Sequence, residues 1–328
     1  MSREANVLFD APGPRAEARN RILTVVSVVL LLGVLAAVVW KLNDREQFRS
    51  ALWEPFLRGD VWTNLILPGL WNTLKAAAVA SVLALLFGAV FGLARLSDHW
   101  WIRGPAGAVV EFFRAIPLLI LIFLAFFAPP LVSPVIAESP LGQAQRVVVD
   151  NFLFLFGVEI NYGVVTVPAF AALVFGLTMY NGSVLAEVIR AGVLSIPKGQ
   201  SEAAYSIGLR KNGVMRLVLL PQAVTAMMPA IVSQLVVLLK DTALGFIIAF
   251  EDLLHAGFKV VGPNYQNLLA AAIVVSVIYI GINMSLSAVA TWLEGRLRRN
   301  RRTSGHSVAP TAGVPAAPGM EPEDVEKK

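Results

Sequence analysis

The chain has 328 residues, of which 56% are hydrophobic and only 15% charged, and it carries a formal net charge of +5. These proportions lie far from those of soluble domains, and apolar runs of about twenty residues recur, the length a helix needs to cross a hydrocarbon core; a soluble globular enzyme is excluded. With no cysteine there are no disulfides and no thiolate metal sites, and the three histidines, His99, His255 and His306, match no metal-ligand spacing.

Residues 1–21 are polar, with Arg3, Arg15, Arg19 and Arg21 and two prolines, and predict a flexible leader. Ile22 to Trp40 is a charge-free apolar run and predicts the first transmembrane helix. A signal peptide is the competing reading, because a basic start precedes an apolar core. The run is long for that purpose, and Trp40-Lys41-Leu42 offers no small-residue cleavage site, so it is read as a retained span.

Residues 41–63 form a solvated connector in which Lys41, Arg45, Arg49 and Arg58 are balanced by Asp44, Glu46, Glu54 and Asp60. Leu65 to Leu93 is the second span. It opens with Gly69-Leu70-Trp71-Asn72-Thr73-Leu74, and Gly88 and Gly92 have the spacing that permits close helix contact. After a short basic loop, Arg95 to Gly104, the third span is expected from Ala106 to about Leu131. It is entered through Glu111-Phe112-Phe113-Arg114-Ala115-Ile116-Pro117-Leu118-Leu119, where Glu111 and Arg114 stand i,i+3 and can pair. Such a pair either fixes helix depth or serves transport. Residues 132–162 read as a connector containing Pro134, Pro140 and an apolar patch at Phe152 to Phe156. Val164 to about Ile189 reads as the fourth span, closed by a second i,i+3 pair, Glu187 and Arg190, that anchors it at the membrane surface.

The stretch from Tyr180 to Pro221 then alternates charge, Gly, Pro and helix formers. Pro197 can occupy a first helical turn, since it has no N–H to leave unpaired. Lys198 to Ser206 is good helix material around Glu202, Ala203 and Ala204. Gly208 sits where a helix end requires a left-handed residue. A second short helix from about Asn212 is expected to lead to Pro221, giving a polar helical elbow between two spans. The fifth span runs from about Val218 to Leu239, with Pro221 and Pro229 inside it. Lys240-Asp241-Thr242 interrupts the apolar pattern before Ala243 to Phe250. Charge beside a membrane-depth segment marks either a polar cavity or simply a helix end at the outer interface. Leu268 to Trp292 is the sixth span, followed by Arg296, Arg298, Arg299, Arg301 and Arg302 and a Pro-rich tail, 295–328 in all, expected to be disordered. The position of this basic run points to lipid headgroups and topology control rather than nucleic acid.

Glu202-Ala203-Ala204, Gly208 six residues after the Glu, and Leu220-Pro221 resemble the EAA loop of ATP-binding-cassette (ABC) importer permeases, with Val218 where that pattern has Ile. The lead-in Ala186-Glu187-Val188-Ile189-Arg190-Ala191-Gly192 and Ile196-Pro197-Lys198-Gly199-Gln200 is similar to the polar amino-acid branch, as are Gly69 to Leu74, Phe113 to Leu119 and Leu238 to Thr242. The resemblance implies an all-α polytopic membrane protein: a five-helix type I importer (MetI-like) core over 65–294, plus the extra N-terminal helix 22–40. It implies a coupling loop over 195–221 with Lys198, Gly199, Glu202, Ala203, Ala204, Gly208 and Pro221 contacting an ATPase, and Lys240, Asp241 and Thr242 as candidates for the substrate pathway. The implied partners are a dimer of ATP-binding subunits, a second permease subunit (the same chain or a relative) and an extracytoplasmic amino-acid-binding protein, besides membrane lipid. The substrates it suggests are glutamate, glutamine, aspartate or a basic amino acid, with glutamate favoured by the Lys240 to Phe250 stretch.

Charge distribution orients the chain independently. With six spans both termini share a side, and Lys plus Arg number 18 there against 6 on the other, with Lys75, Arg114 and Lys240 inside spans. The richer side is cytoplasmic, which places the elbow in the cytoplasm; the resemblance implies that the membrane is the plasma (inner) membrane of a bacterium. No GxxxxGK[ST] phosphate loop occurs in the chain, so no cofactor is expected in it and ATP is expected in the partner subunit. A self-contained secondary amino-acid transporter or channel is the alternative. It would need paired broken helices in two related halves, and only one interrupted segment, near Asp241, is visible.

Overall fold

The computed structural model describes residues 13–136 and 138–304, and most of them are helical. Among the described residues six helices are long and apolar enough to span a membrane: Arg15–Asp44, Gly59–Ala94, Leu118–Val135, Ala169–Leu194, Lys211–Ile248 and Leu268–Val289. Their number is the expected one; several bounds are not.

Helix α1, Pro14–Asp44, begins inside the predicted leader. Pro14 suits a first turn, where its missing N–H costs nothing, and Glu17 lies at the positive end of the helix dipole. Arg15, Arg19 and Arg21 are therefore helical, and residues 1–12 of the leader lie outside the described residues. No residue in the apolar window of α1 is buried. Helix α2, Leu67–Ala94, continues the segment that starts at Gly59.

The third span is the main correction. Helix α3, Trp100–Ala115, stops, and a new helix α4, Leu118–Ile136, starts after Pro117, so the span does not begin at Ala106. Pro117 disfavours the helical region for Ile116 and donates no hydrogen bond of its own. Its carbonyl instead accepts from Ile120 N at 2.9 Å and Leu121 N at 3.2 Å, opening α4. The expected connector 132–162 is also structured. Pro134 lies within α4, and α5, Pro140–Asn151, is capped by Ser139 Oγ, which accepts from Gly142 N at 3.2 Å. A hairpin follows, β1 Glu159–Asn161 and β2 Val164–Thr166, paired antiparallel with Asn161 opposite Val164. Its two-residue loop, Tyr162 and Gly163, has φ of +53° and +81°, the turn whose twist suits a hairpin. The fourth spanning helix, α6 Ala169–Leu194, therefore starts after the hairpin rather than at Val164.

Helix α7 is Lys198–Ser206, α8 is Leu220–Asp241 and α9 is Leu268–Ser304. Helix α9 carries ten residues of the expected disordered tail, 295–304, as helix, in keeping with the helix propensity of its Leu and Arg residues. The rest of that tail, 305–328, lies outside the described residues.

Wide π turns precede prolines in three places. Trp62–Ile66 ends two residues before Pro68, Val214–Leu219 before Pro221, and Ala256–Val261 before Pro263. Each proline removes the bond to the carbonyl four residues back and crowds it, and widening the preceding turn relieves that crowding.

The described residues form two compact units, each assembled from separated stretches of chain. The first takes residues up to Ala84, Ala115–Tyr180 and Leu238–Ile282. Its core joins Phe56, Val61, Ile66, Leu253, Val261 and Ala271, and Asn267 Nδ2 donates to Leu52 O at 2.9 Å beside it. A smaller cluster, Val149, Val158, Val165 and Ala171, holds the hairpin, where Ser133 Oγ accepts from Val165 N at 2.8 Å. The second unit takes Leu85–Arg114, Asn181–Val237 and the residues from Asn283. Its core is Ile189, Val193, Ala223 and Met227.

Candidate functional site

The elbow is a capped helix. Pro197 is extended (φ −55°, ψ 134°) and stands just before α7 rather than inside its first turn, so Lys198 is the first helical residue. At the other end Gly208 has φ +84°, as its position in the sequence predicts. Gly208 N donates to Tyr205 O at 2.9 Å and Leu209 N to Ala204 O at 3.2 Å. That pair of bonds is the Schellman motif, which satisfies carbonyls a helix end otherwise leaves free. A Cβ on Gly208 would meet nothing within 4 Å, so the glycine is required by backbone conformation and not by space.

Of the nine residues of α7 only Ala204 is buried. Lys198, Gly199, Glu202 and Ala203 are exposed, and beyond them Ile207 presents an apolar side chain, 77% exposed. Glu202 and Ala203 therefore face outward together, and Ala204 is turned in. No separate second helix follows. Lys211–Gly213, the wide turn Val214–Leu219 and α8 run on as one, with Pro221 exposed within it. Gln222 Nε2 donates to Gln200 Oε1 at 3.4 Å, tying α7 to α8. Lys211 Nζ pairs with Asp98, tying the elbow to the loop after α2. The hydrogen bond from Lys211 holds the Asp98 carboxyl below its ordinary range.

Within the same unit an ionic knot joins α3, α6 and the loop after α2. Glu187 on α6 accepts from Arg95 Nη1 at 2.7 Å and from Arg190 Nη2 at 3.0 Å, with Arg114 Nη1 at 3.9 Å. The expected Glu187–Arg190 pair thus forms. The expected Glu111–Arg114 pair does not: Glu111 takes Arg95 Nη2 at 3.3 Å, and Arg114 turns to Glu187. Close approach of α2 and α6 makes the knot possible. A Cβ on Gly88 would lie 2.7 Å from Leu185 Cβ, and one on Gly92 2.8 Å from Ala186 O.

The three pathway candidates do not share a surface. Lys240 is exposed, Asp241 is half-buried and Thr242 is fully buried, its Oγ1 donating to Leu239 O at 2.7 Å. The chain then tightens into a 3-10 helix, Thr242–Ile248, that stops at left-handed Ala249.

Two polar groupings were not singled out from the sequence. In the second unit Gln234 Nε2 donates to Asn181 Oδ1 at 2.7 Å between two spanning helices, and Asn181 is fully buried. In the first unit Asp252 is fully buried between spans. It accepts from His255 N at 2.7 Å, and Thr73 Oγ1 accepts from the neighbouring Leu253 N at 3.0 Å. Burial raises the Asp252 carboxyl to about 6. Each of these residues looks ordinary alone in the sequence, and only the helix packing brings the partners together.

The segment between the two spans is thus an exposed, Schellman-capped helix tied to α8 by one hydrogen bond and followed by an ion pair at Lys211. The family described as the binding-protein-dependent transport system inner membrane component matches residues 80–299. The glutamate transport system permease protein GluD of Corynebacterium glutamicum is 39% identical over 285 residues, covering 86% of this chain and 92% of that protein. A crystal structure of an amino acid ABC transporter with histidines has 28% identity and a TM-score of 0.57, covering 72% of this chain and 95% of its own. The inward-facing MetNI methionine ABC transporter, at 19% identity and a TM-score of 0.50 over 71% of this chain and 98% of its own, shares the fold. The chain belongs to the family of binding-protein-dependent transport system inner membrane components, the permeases of ABC importers, and has their type I fold.

Proposed function

We propose that this chain is the transmembrane permease of an ATP-driven importer of polar amino acids, with glutamate as the substrate. The observation that carries the reading is the exposed α7 helix with its left-handed Gly208, a rigid body placed for docking. The likeness to a glutamate permease supports the substrate. Lys198, Gly199, Glu202, Ala203, Ala204, Gly208 and Pro221 form the coupling segment: the exposed members meet the ATPase, Ala204 seats the helix, and Pro221 shapes the turn behind it.

In this reading two ATP-binding subunits hold and hydrolyse ATP, two permease subunits enclose the pathway, and an extracytoplasmic binding protein delivers the amino acid. ATP-driven closure moves each elbow with its flanking spans as a rigid body. The membrane is the bacterial inner membrane, and both termini are cytoplasmic. Starting the third span at Leu118 puts Arg114 outside it, on the side of Arg95 and Arg103, which strengthens the charge asymmetry. Lys240 is the pathway candidate best placed to meet an anionic substrate, since it is exposed. Asp241 shapes the local field, and buried Thr242 holds the helix end.

The test is uptake by the assembled importer in proteoliposomes, with labelled glutamate and competing glutamine, aspartate and arginine. ATP-dependent glutamate uptake that only aspartate reduces is expected. Uptake without ATP, or uptake blocked best by arginine, contradicts the reading.

A further inference from the structure

A cavity of about 450 Å³ opens on the second unit where the loop after α2 meets α3 and the end of α6. It is lined by three arginines, Arg95, Arg103 and Arg190, and one acidic residue, Glu111. Gly104, Gly107 and Glu111 lie at i, i+3 and i+7 on α3, so one stripe of that helix forms a wall, and two glycines keep it open. The charge is not balanced. Arg95, Arg103, Arg114 and Arg190 face only Glu111 and Glu187, which leaves two positive charges, and the nearby Asp98 is already matched by Lys211. Arg103 is exposed and makes no ion pair among the described residues.

The surroundings indicate depth. Helix α3 lies between two spanning helices and is exposed at Trp100 (71%) and Trp101 (58%). Trp100 stands four residues before Gly104, on the cavity's own stripe. Exposed tryptophans at the end of a span sit at the headgroup level of a bilayer, and an amphipathic helix with basic residues beside them lies in that plane.

We infer that this cavity binds the phosphodiester headgroup of an anionic phospholipid, with Arg103 and Arg190 as the phosphate ligands, Arg95 holding the back wall, and Trp100 against the glycerol and acyl boundary. Guanidinium groups match phosphate oxygens in pairs, and basic pockets between membrane helices are suited to such headgroups. Glu111 faces the same space and favours a headgroup that carries hydroxyls beside its phosphate, as glycerol does. Because the knot at Glu187 shares Arg95 and Arg190 with the cavity, a bound lipid would brace the helices that carry the elbow.

The test uses the full-length permease assembled with its ATPase subunits, delipidated in detergent and titrated with phosphatidylglycerol or phosphatidylcholine, with bound lipid counted by native mass spectrometry. Phosphatidylglycerol is expected to be retained several-fold over phosphatidylcholine. Arg103→Gln should bring the two to parity, and Arg103→Lys should keep part of the preference. Arg58→Gln, at an exposed cation whose ion-pair partner is Asp60, should leave the preference intact. Equal retention of both lipids in the unaltered complex overturns the inference, as does a preference that survives Arg103→Gln and Arg103→Glu alike. Stripping of phosphatidylglycerol by millimolar inorganic phosphate also overturns it, assigning the cavity to small soluble anions.

Discussion

Glu187 and Arg95 stand 92 positions apart in the chain and meet at 2.7 Å, with Arg95 12% and Glu187 28% exposed. This contact ties the loop leaving α2 to the last turns of α6, the helix that leads into the elbow. A partly buried carboxylate shared among guanidiniums is costly to remove, because what remains is uncompensated positive charge. Glu187→Gln is expected to lower stability by about 1–3 kcal/mol, less than for a fully buried pair since solvent reaches the group. Denaturant unfolding in detergent checks the size, and a double-mutant cycle with Arg95→Gln should show coupling near 1 kcal/mol. Strict additivity of the two substitutions would contradict the contact's importance.

A second latch lies between Asn181 and Gln234, joined at 2.7 Å. Gln234→Leu leaves the buried Asn181 carbonyl oxygen without its donor and should cost about 1–2 kcal/mol. Changing both residues to Leu removes the unmet need as well, so the double variant should be no less stable than the single one. Polar contacts between membrane helices average well below 1 kcal/mol in such cycles, and a double variant markedly weaker than either single would show that Asn181 does more than hold Gln234.

Asp252 makes stability depend on pH. Its folded value of about 6 exceeds the ordinary carboxyl value near 4, so between those limits the folded chain holds a proton the unfolded chain has released. Stability should therefore rise as pH falls from 7 through 6 towards 4, and the penalty of the buried charge is complete only above 6. Asp252→Asn keeps the acceptor for His255 N and removes the charge, so it should flatten this component and stabilise the protein at neutral pH. Thermal midpoints of both proteins between pH 4.5 and 7.5, about the accessible range, measure it; parallel curves would contradict the assignment.

Topology gives a third-party check on the orientation. Reporter fusions after Asp44 and after Ser304 should report opposite sides of the membrane, because one span precedes the first point and six precede the second. The same side for both would mean that the chain between these points does not cross five times.

Local signals were readable in the sequence, and competition between helices was not. Gly208 could be placed because a glycine after nine helix-forming residues has one obvious use, and Glu187–Arg190 because both partners share one helix face. Glu111 and Arg114 have that same spacing, yet Arg95 and Glu187 from other helices outbid the local pair, and nothing near residue 111 announces them. The start of the third span was misplaced because apolar residues on both sides of Ile116-Pro117 mask the break. The hairpin was absorbed into the fourth span because Val164-Val165-Thr166-Val167 blends into the apolar helix behind it. Its turn was marked all along by Asn161-Tyr162-Gly163. Asn181 and Gln234 are single polar residues in apolar runs, and their pairing is a property of the packing alone.

The account rests on α7 as the element that receives force from the ATPase, and two substitutions address it. Gly208 is left-handed, so a Cβ there costs roughly 1–2 kcal/mol and a β-branched side chain more, although no atom stands in its way. Glu202 is exposed, and a surface change usually stays within about 0.5 kcal/mol of stability. The direct measurement is ATPase association and substrate-stimulated hydrolysis in the assembled importer carrying Gly208→Val or Glu202→Lys, beside uptake by the same preparations. The account predicts inserted, folded permease that binds the ATPase weakly or hydrolyses ATP without uptake. Normal assembly and normal coupled uptake in both variants would contradict it.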